Sequence, residues 1–430
     1  MSGEPTAMGT SRCLTLSFLI LVCSLFSCSL WESDQKPGPK ARPGLWASWV
    51  VRTDMTSKEE VHRIVEEAKQ AKLDALFVQV RGRGDAYFQG GVEPVAEGVS
   101  RDFDPLREFL EATAGTGIQV HAWVNVFLLS GTERVPSDPA HAVRAHPEWL
   151  QYPLELAKEL LQLPPSHPDF LMKLLAHGKS RAKSVEGLYA DPSSMAYREH
   201  LVRVVTDISS RYEVAGLHLD YVRYPGKDYG YSVGALDRFR VEVDREITAA
   251  ERSDMASRVR TDPLVYTRRY PIRWAETRRR AVTETVEALA GAARRARPGI
   301  EVSTAVIADI TRARDELFQE WTRWLEQGIV QACCPMNYAG PTENSMFLDR
   351  CRAAVAAKRG GRIYMGIGAY LLPLSTTVMR AESALGEGAD GVLFFSHASL
   401  KKERDGFARI GAASTTKPTA AREKADASIR

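Results

Sequence analysis

The sequence carries almost no excess of charge of either sign, which limits the partners it can have. Its 57 Lys and Arg residues are nearly balanced by 54 Asp and Glu residues, for a formal net charge of +3. Domains that bind nucleic acid present a basic patch or stripe to the phosphates, and this chain shows no such excess. We therefore expect no nucleic acid partner.

Cysteines are also few. The chain has six, and beyond the amino-terminal segment there remain only Cys333, Cys334 and Cys351. An odd number of cysteines without metal-ligand spacing argues against a disulfide framework and against a cysteine zinc site. We expect buried thiols that pack as small hydrophobic groups, and no metal site.

A third feature that the sequence lacks is a glycine-rich phosphate loop at the start of a helix. The stretch Arg81-Gly82-Arg83-Gly84 is too short for a Rossmann or P-loop motif and lacks the strand and helix context of either. The sequence therefore predicts no nucleotide cofactor, and no other cofactor is indicated.

Long hydrophobic runs are confined to the amino terminus. Arg12 precedes an uncharged run over 13–31, which is typical of a secretory signal. Within it, Leu25-Phe26-Ser27-Cys28 resembles a bacterial lipobox, in which the cysteine becomes the lipidated first residue. A cleaved signal and an uncleaved membrane anchor are the alternatives. We expect a signal peptide over 1–28, a polar tether over 29–43, and an exported envelope protein held at the membrane by its lipid or signal segment.

The rest of the chain alternates apolar runs with amphipathic helical patterns. At 430 residues and 44% hydrophobic content it can bury a large core. Eight such runs, most followed by a helical pattern, predict a (β/α)8 TIM barrel over 44–410, with long loop insertions after the third and fourth strands. An open doubly wound sheet is the alternative. The tail over 411–430 has little to bury and is expected to be disordered. The predicted strands are Gly44–Val51, Leu73–Val80, Gly117–Phe127, Val214–Pro225, Ile300–Ile307, Ile329–Tyr338, Arg362–Tyr370 and Gly388–His397.

Polar and aromatic side chains concentrate at the ends of these runs. The carboxyl ends of barrel strands form the active-site face, so the side chains found there are candidates for one site. These candidates are Arg81, Asp85, His121, Trp123, Asn125, His218, Asp220, Arg223, Asp309, Asn337, Tyr338 and Tyr370.

The fourth run has the densest polar end. His218, Asp220 and Arg223 follow its apolar start, and Pro225 closes it. We interpret Asp220 as a functional carboxylate. The alternative is a structural carboxylate that pairs with Arg223.

Five motifs resemble the glycosyl hydrolase-like 10 family, over roughly 43–400. They are Phe77–Asp85, Val120–Asn125, His146–Trp149, Gly216–Pro225 and Cys334–Tyr338. That family is a TIM-barrel group of bacterial envelope proteins, some of which look like hydrolases of peptidoglycan glycan strands. The resemblance implies a glycoside hydrolase that acts on a polysaccharide, most specifically peptidoglycan strands.

Glycosidic cleavage generally needs a carboxylic acid and a carboxylate nucleophile or base. Asp220 is the first candidate and Asp85 the second, with Asp309 and Glu343 as further choices for the second carboxylate. The predicted substrate-binding residues are Arg81, His121, Trp123, Asn125, His218, Arg223, Asn337, Tyr338 and Tyr370.

Two other functions remain open from the sequence. His121 and His218 are candidates for ligands in a metal-dependent deacetylase-like site. Many family members also carry a second Asp where this chain has Tyr221. A non-catalytic glycan-binding envelope lipoprotein therefore remains an alternative.

Overall fold

The computed structural model describes residues 44–415, and its centre is a closed barrel of eight parallel strands. The strands are β1 Leu45–Val50, β2 Ala75–Arg81, β3 Gln119–Asn125, β4 Leu128–Ser130, β5 Leu188–Tyr189, β6 Gly216–Asp220, β7 Glu301–Ile307, β8 Ala332–Asn337, β9 Arg362–Gly368 and β10 Gly391–Phe395. Neighbours around the barrel run in the order β1-β10-β9-β8-β7-β6-β3-β2. Closure confirms the predicted (β/α)8 TIM barrel and is incompatible with the open doubly wound alternative. The short strands β4 and β5 pair with each other outside the barrel.

Helices connect the strands. The helices of the described residues are α1 Lys58–Gln70, α2 Pro105–Thr113, α3 Ala142–Ala145, α4 Leu154–Leu160, α5 Pro168–Ser180, α6 Met195–Arg211, α7 Val233–Asp244, α8 Ala249–Val259, α9 Val265–Arg269, α10 Pro271–Ala296, α11 Ile310–Glu316, α12 Trp321–Glu326, α13 Asn344–Ala356, α14 Leu374–Gly386 and α15 Gly406–Ala413. Short 3₁₀ helices span Arg52–Asp54, Pro147–Trp149, Ala369–Leu371 and His397–Lys402.

Local sequence signals explain where these helices begin and which face they bury. Ser57 caps α1 through its hydroxyl, and Glu60 completes a capping box. Val61, Ile64 and Val65 follow at helical spacing and are buried on one face of α1.

Both predicted insertions are present at the carboxyl face. The chain between β3 and α6 contains the antiparallel pair β4 and β5 together with α3, α4 and α5. The chain between β6 and α10 contains α7, α8 and α9. Both insertions start where strands end, so they can line a site at that face.

Side chains at alternate strand positions fill the barrel interior. Glycines make room for the larger rings, because a Cβ at Gly216 would overlap the ring of His121, and a Cβ at Gly366 would lie 3.0 Å from Cη2 of Trp49. The buried interior cluster contains Ala47, Trp49, Ala75, Phe77, Trp123, Ala332, Cys334, Tyr364 and Leu393.

The ends of the described region qualify the predicted boundaries. Helix α15 continues to Ala413, three residues beyond the predicted end of the barrel at 410. The predicted signal, the tether and most of the predicted tail lie outside residues 44–415. Within that range, no helix combines the length and apolar character needed to cross a bilayer.

Candidate active site

A cleft of about 460 Å³ opens at the carboxyl ends of the barrel strands. Its size falls within the range of small-ligand sites. Residues from β1, β2, β3, β6, β7, β8 and β10, or from the loops after them, contribute to its walls. The predicted site residues that line it are Trp123, Asn125, Asp220, Arg223, Asp309 and Tyr338.

Asp220 is the last residue of β6 and is only 7% exposed. Its Oδ1 accepts the backbone N–H of Tyr221 at 2.6 Å. Burial raises the pKa of the Asp220 carboxyl to about 6, and that N–H and the charge of Arg223 oppose the rise. A carboxyl group with this pKa can hold a proton near neutral pH.

Tyr221 turns the chain out of β6 with a φ of 53°. This left-handed conformation is unfavourable for a bulky residue and persists only where surrounding contacts hold it. The Tyr221 ring lies 5.1 Å from Cζ of Arg223 and 6.0 Å from the ring of Tyr189. A strained residue therefore lies directly beside the Asp220 carboxyl.

Arg223 is ion-paired with Glu186, with 2.7 Å between Nη2 and Oε1. The hydroxyl of Tyr189 donates to the other oxygen of Glu186, also at 2.7 Å. Although burial raises it, the pKa of Glu186 lies below its usual value because of the charge of Arg223. Asp220 forms no ion pair with Arg223, although the charge of that arginine acts on its carboxyl, so the geometry gives no support to the structural alternative.

The other candidate carboxylates differ in position. Asp309 lines the cleft and caps α11, because its Oδ1 accepts the backbone N–H of Arg312 at 2.9 Å. Asp85 lies in a second hollow of about 300 Å³ and not in the lining of the main cleft. Glu343 accepts the backbone N–H of Gly340 and lies in neither lining. The position of Asp85 thus gives no support to its predicted pairing with Asp220, whereas Glu186 and Asp309 share the cleft.

Trp123 and Asn125 lie on neighbouring inward positions of β3. The indole of Trp123 acts to lower the pKa of Asp220, but its N–H makes no hydrogen bond of normal geometry. Asn125 donates from Nδ2 to the carbonyl of Gly82 at 2.7 Å, while its buried Oδ1 has no partner. An N–H donor and an amide oxygen are therefore left unsatisfied at the cleft, which is where a polar ligand would bind.

Aromatic rings form another part of the cleft. Tyr338 stacks on Phe395 with ring centroids 5.6 Å apart. Tyr370 packs edge-on against both rings, at 5.9 Å from each, and is 44% exposed. These three rings, which we call the aromatic rim, offer flat apolar faces of the kind that pack against sugar rings. Tyr370 belongs to the rim without lining the cleft itself.

Arg81 does not reach the cleft, which corrects its predicted role in substrate binding. It is fully buried and forms a two-pronged ion pair with Glu93, at 2.6 Å for each prong. Its remaining donors contact the carbonyls of Asn125 and Val126. The charge of Glu93 raises the pKa of Arg81 above its usual value, against the lowering effect of burial. A guanidinium with these contacts holds the loops together and is not available to a ligand.

His121 and His218 lie deeper in the barrel than predicted. His121 stacks on Phe77 at 4.4 Å, and burial lowers its pKa to about 4. Nε2 of His218 accepts the indole N–H of Trp49 at 3.0 Å, and its Nδ1 lies 2.9 Å from Oγ of Ser303. Both ring nitrogens of His218 are therefore engaged, and neither histidine lines the cleft. Over residues 44–415, no group of three His, Cys, Asp or Glu side chains is arranged to hold a metal ion.

Asn337 also departs from its predicted role. It is fully buried, and its Nδ2 donates to the carbonyl of Phe347 at 2.8 Å. Its side chain therefore links β8 to α13 instead of facing the cleft.

Several cleft residues were not among the predicted ones. Arg83 belongs to a matched motif and Phe395 ends the last barrel strand, so the rule on strand ends could have found both. Arg52 begins the 3₁₀ helix directly after β1, so the same rule on strand ends could have found it. Glu186 lies in the irregular insertion before β5, where no sequence pattern marks it.

Structural comparison shows the same barrel in known glycosidases. The glycoside hydrolase domain of PgaB (BpsB) from Bordetella bronchiseptica aligns with a TM-score of 0.61 at 13% identity, covering 87% of this chain and 100% of that one. A β-galactosidase from Bacillus circulans sp. alkalophilus aligns with a TM-score of 0.58 at 15% identity, covering 87% of this chain and 56% of that one. At these identities the likeness concerns the fold.

Sequence comparison finds relatives that are named as glycosyl hydrolases. Glycosyl hydrolase DigH of Escherichia coli (strain K12) is 24% identical over 370 residues, covering 76% of this chain and 73% of that protein. Glycosyl hydrolase YngK of Bacillus subtilis (strain 168) is 21% identical over 203 residues, or 43% of this chain, and the match spans about a third (34%) of that relative's length. A model of the glycosyl hydrolase-like 10 family matches residues 42–381. The chain therefore belongs to the glycosyl hydrolase-like 10 family and is a glycoside hydrolase.

Proposed function

We propose that this glycoside hydrolase cleaves the glycan strands of peptidoglycan, with Asp220 as the proton donor. The observation that carries the mechanism is the contrast between two carboxyl groups in one cleft. The pKa of Asp220 is raised to about 6, whereas that of Glu186 is lowered. Environments that push two pKa values apart are what acid and base roles require.

In this mechanism Asp220 gives its proton to the glycosidic oxygen as the bond to the anomeric carbon breaks. Oδ1 already accepts the N–H of Tyr221, so the proton is held on Oδ2. Glu186 remains ionised beside Arg223 and acts as the nucleophile or as the base that activates water. Asp309, which shares the cleft, is the alternative partner.

Sugar binding would use the groups without partners at the cleft. The Oδ1 of Asn125 can accept a hydroxyl proton, and the N–H of Trp123 can donate to a sugar oxygen. The aromatic rim would pack against an apolar sugar face. Together these groups would fix the scissile bond near Asp220.

We also propose that the enzyme works at the cell envelope as a lipoprotein. The support is the sequence Leu25-Phe26-Ser27-Cys28 at the end of an uncharged run. A peptidoglycan substrate and an envelope location support each other, because an exported enzyme meets that polymer directly.

The test is turnover on a defined polymer. Purified protein is incubated with peptide-free peptidoglycan strands, and new reducing ends are measured against the Asp220→Asn variant as control. We expect release of reducing ends by the native protein and almost none by the variant. Tight binding of the strands without release would contradict the proposal and favour the glycan-binding alternative.

A further inference from the structure

We propose that Arg52 and Arg83 form a subsite for a carboxylate group carried by the glycan, an inference that rests on the proposed function. Arginines outnumber carboxylates in the lining of the main cleft. The arginines are Arg52, Arg83, Arg223, Arg312 and Arg350, and the carboxylates are Glu186, Asp220 and Asp309.

The partners of these arginines separate them into two groups. Arg223 is paired with Glu186 at 2.7 Å, and Arg312 lies 3.5 Å from Glu316. Within residues 44–415, the guanidiniums of Arg52, Arg83 and Arg350 have no carboxylate oxygen within 4.0 Å. Three cations without a carboxylate partner thus face a cleft that is large enough for a sugar ligand, and of these only Arg52 and Arg83 also line the second hollow.

Both arginines are half-buried rather than fully extended into solvent. Nη1 of Arg52 donates to Oε1 of Gln79 at 3.2 Å, and Gln79 is only 2% exposed. The Nε of Arg83 is buried and lacks an acceptor. A Cβ at Gly131 would lie 2.5 Å from Nη1 of Arg83, so that glycine lets the guanidinium pack against the backbone. The positions are therefore built into the fold, which lowers the entropy lost when an anion binds.

The two arginines also mark the place where two hollows meet. Arg52 and Arg83 line both the main cleft and the second hollow of about 300 Å³. Arg52 follows β1 and Arg83 follows β2, and these two strands are adjacent in the barrel. Asp309 and Arg312 follow β7, which lies on the opposite side of the barrel. A glycan lying across Asp220 would therefore reach the two arginines at one end and continue into the second hollow.

Two acidic side chains that line the second hollow already have hydrogen-bond or ion-pair partners. Oδ1 of Asp85 accepts the backbone N–H of Arg83 at 2.6 Å. Glu97 is ion-paired with Arg134 and accepts a hydrogen bond from Ser137. Among the described residues Asp85 forms no ion pair, so two guanidiniums and this one neighbouring carboxylate remain at the junction, and positive charge is in excess there.

Carboxylate is the chemical group that fits this arrangement. A guanidinium presents a planar fork of donors that binds a carboxylate through two parallel hydrogen bonds. Two kinds of acidic sugar carry such a group, namely an amino sugar with a lactyl ether that bears no peptide, and a uronic acid. The proposed subsite recognises the carboxylate that both sugars share, and the experiment below distinguishes the two sugars.

The decisive experiment varies the carboxylate and the arginine together. Peptide-free peptidoglycan strands are compared with the same strands after chemical reduction of their carboxyl groups to alcohols. The ratio of kcat/KM for the two substrates is measured for the native protein and for Arg52→Gln, Arg83→Gln and Arg83→Lys. Arg203→Gln is the matched control, because Arg203 is exposed on α6 and lines neither hollow.

We expect the native protein to prefer the carboxylated strands by about 10- to 100-fold, the range for hydrogen bonds to charged groups. Arg83→Gln and Arg52→Gln should each lower that ratio several-fold, Arg83→Lys should retain part of it, and Arg203→Gln should retain all of it. Thermal unfolding of each variant separates a loss of fold from a loss of recognition.

The experiment distinguishes failure of the proposed function from failure of the carboxylate subsite. If neither substrate is cleaved by the native protein, the proposed function fails. If both are cleaved at a ratio that the arginine variants do not change, the carboxylate subsite is overturned and the proposed function stands. Affinity of the Asp220→Asn variant for peptide-free strands and for oligogalacturonate then identifies the lactyl or the uronic carboxylate as the ligand, and binding of neither also overturns the subsite.

Discussion

Arg223 is ion-paired with Glu186, at 2.7 Å between Nη2 and Oε1, whereas Asp220 in the same cleft makes no ion pair with any described residue. Asp220 is buried at the same cleft, so its ionised form is destabilised. Glu186 is stabilised as a carboxylate. Burial therefore raises the pKa of Asp220, whereas the ion pair with Arg223 lowers that of Glu186, so that two chemically similar side chains differ in acidity.

The first prediction concerns Asp220→Asn. The amide matches the carboxyl in size but cannot supply the acid proton, so turnover should fall by about 10²–10⁴ or more. Glycan affinity should be largely retained. Reducing-end assays and binding to peptide-free strands check both parts, and near-native turnover in a folded variant would remove Asp220 from the mechanism.

The same variant should be more stable than the native protein at alkaline pH. The folded pKa of Asp220, about 6, exceeds the ordinary value of 3.8, so ionisation costs stability as the pH rises from about 4 through 6. Removal of the carboxylate should recover up to about 3 kcal/mol of unfolding free energy at pH 8 and little at pH 4. Denaturant unfolding at the two pH values measures this, and a less stable variant at pH 8 would favour a structural role.

The pH dependence of catalysis should follow the same group. Because the acid must be protonated, kcat/KM should fall as the pH rises above about 6. The lowered pKa of Glu186 places the other limb of the profile at acidic pH. A pH–rate profile between pH 4 and 9 checks this, and activity that increases steadily through pH 8 would exclude Asp220 as the proton donor.

The second carboxylate can be identified by a matched pair of variants. Glu186→Gln should reduce turnover by about 10²–10⁴, since it removes the ionised group that shares the cleft with Asp220. Asp85→Asn should retain most of the activity, because Asp85 lies in the second hollow. The reverse outcome would restore Asp85 as the catalytic partner.

Removal of a ring from the aromatic rim should weaken glycan binding without much change in the stability of the fold. Tyr370→Ala removes a ring that is 44% exposed, so we expect weaker glycan binding with a change in unfolding free energy of about 1 kcal/mol or less. Met379→Ala on α14 is the control, because Met379 is 45% exposed and belongs to no cleft lining. Calorimetry measures the binding and thermal unfolding measures the stability. Equal losses of glycan binding in both variants would contradict a role of the aromatic rim in binding.

The export proposal has its own test. Cys28→Ser should leave the chain unprocessed or release it from the membrane, because no thiol remains for lipid attachment. Membrane flotation and mass spectrometry of the amino terminus report the result. Unchanged membrane association with an unmodified terminus would contradict lipidation.

The barrel was predictable because its signal is local and repeated. Each apolar run of strand length is followed by helical spacing, as in β1 and α1, and repetition of that unit permits few folds. The two insertions were predictable for the opposite reason, since proline and irregular spacing interrupt the pattern there.

The site was predicted less completely, because a sequence indicates on which face of the sheet a strand residue lies but not how deep in the barrel its side chain is. His121 and Asn125 point to the same side of β3, yet only Asn125 reaches the cleft. Arg81 ends β2 but meets Glu93, whose position depends on a loop. Glu186 comes to the cleft through contacts with Arg223 and Tyr189, and such contacts leave no periodic pattern in the sequence.

The left-handed conformation of Tyr221 has a consequence for directed evolution of this enzyme. A bulky residue at a φ of 53° costs about 1–2 kcal/mol, and glycine or asparagine would avoid most of that cost. Selection for heat resistance alone would therefore favour replacement of Tyr221, although its ring packs on Arg223 beside the Asp220 carboxyl. Thermal selection and selection for activity would then act in opposite directions at one position.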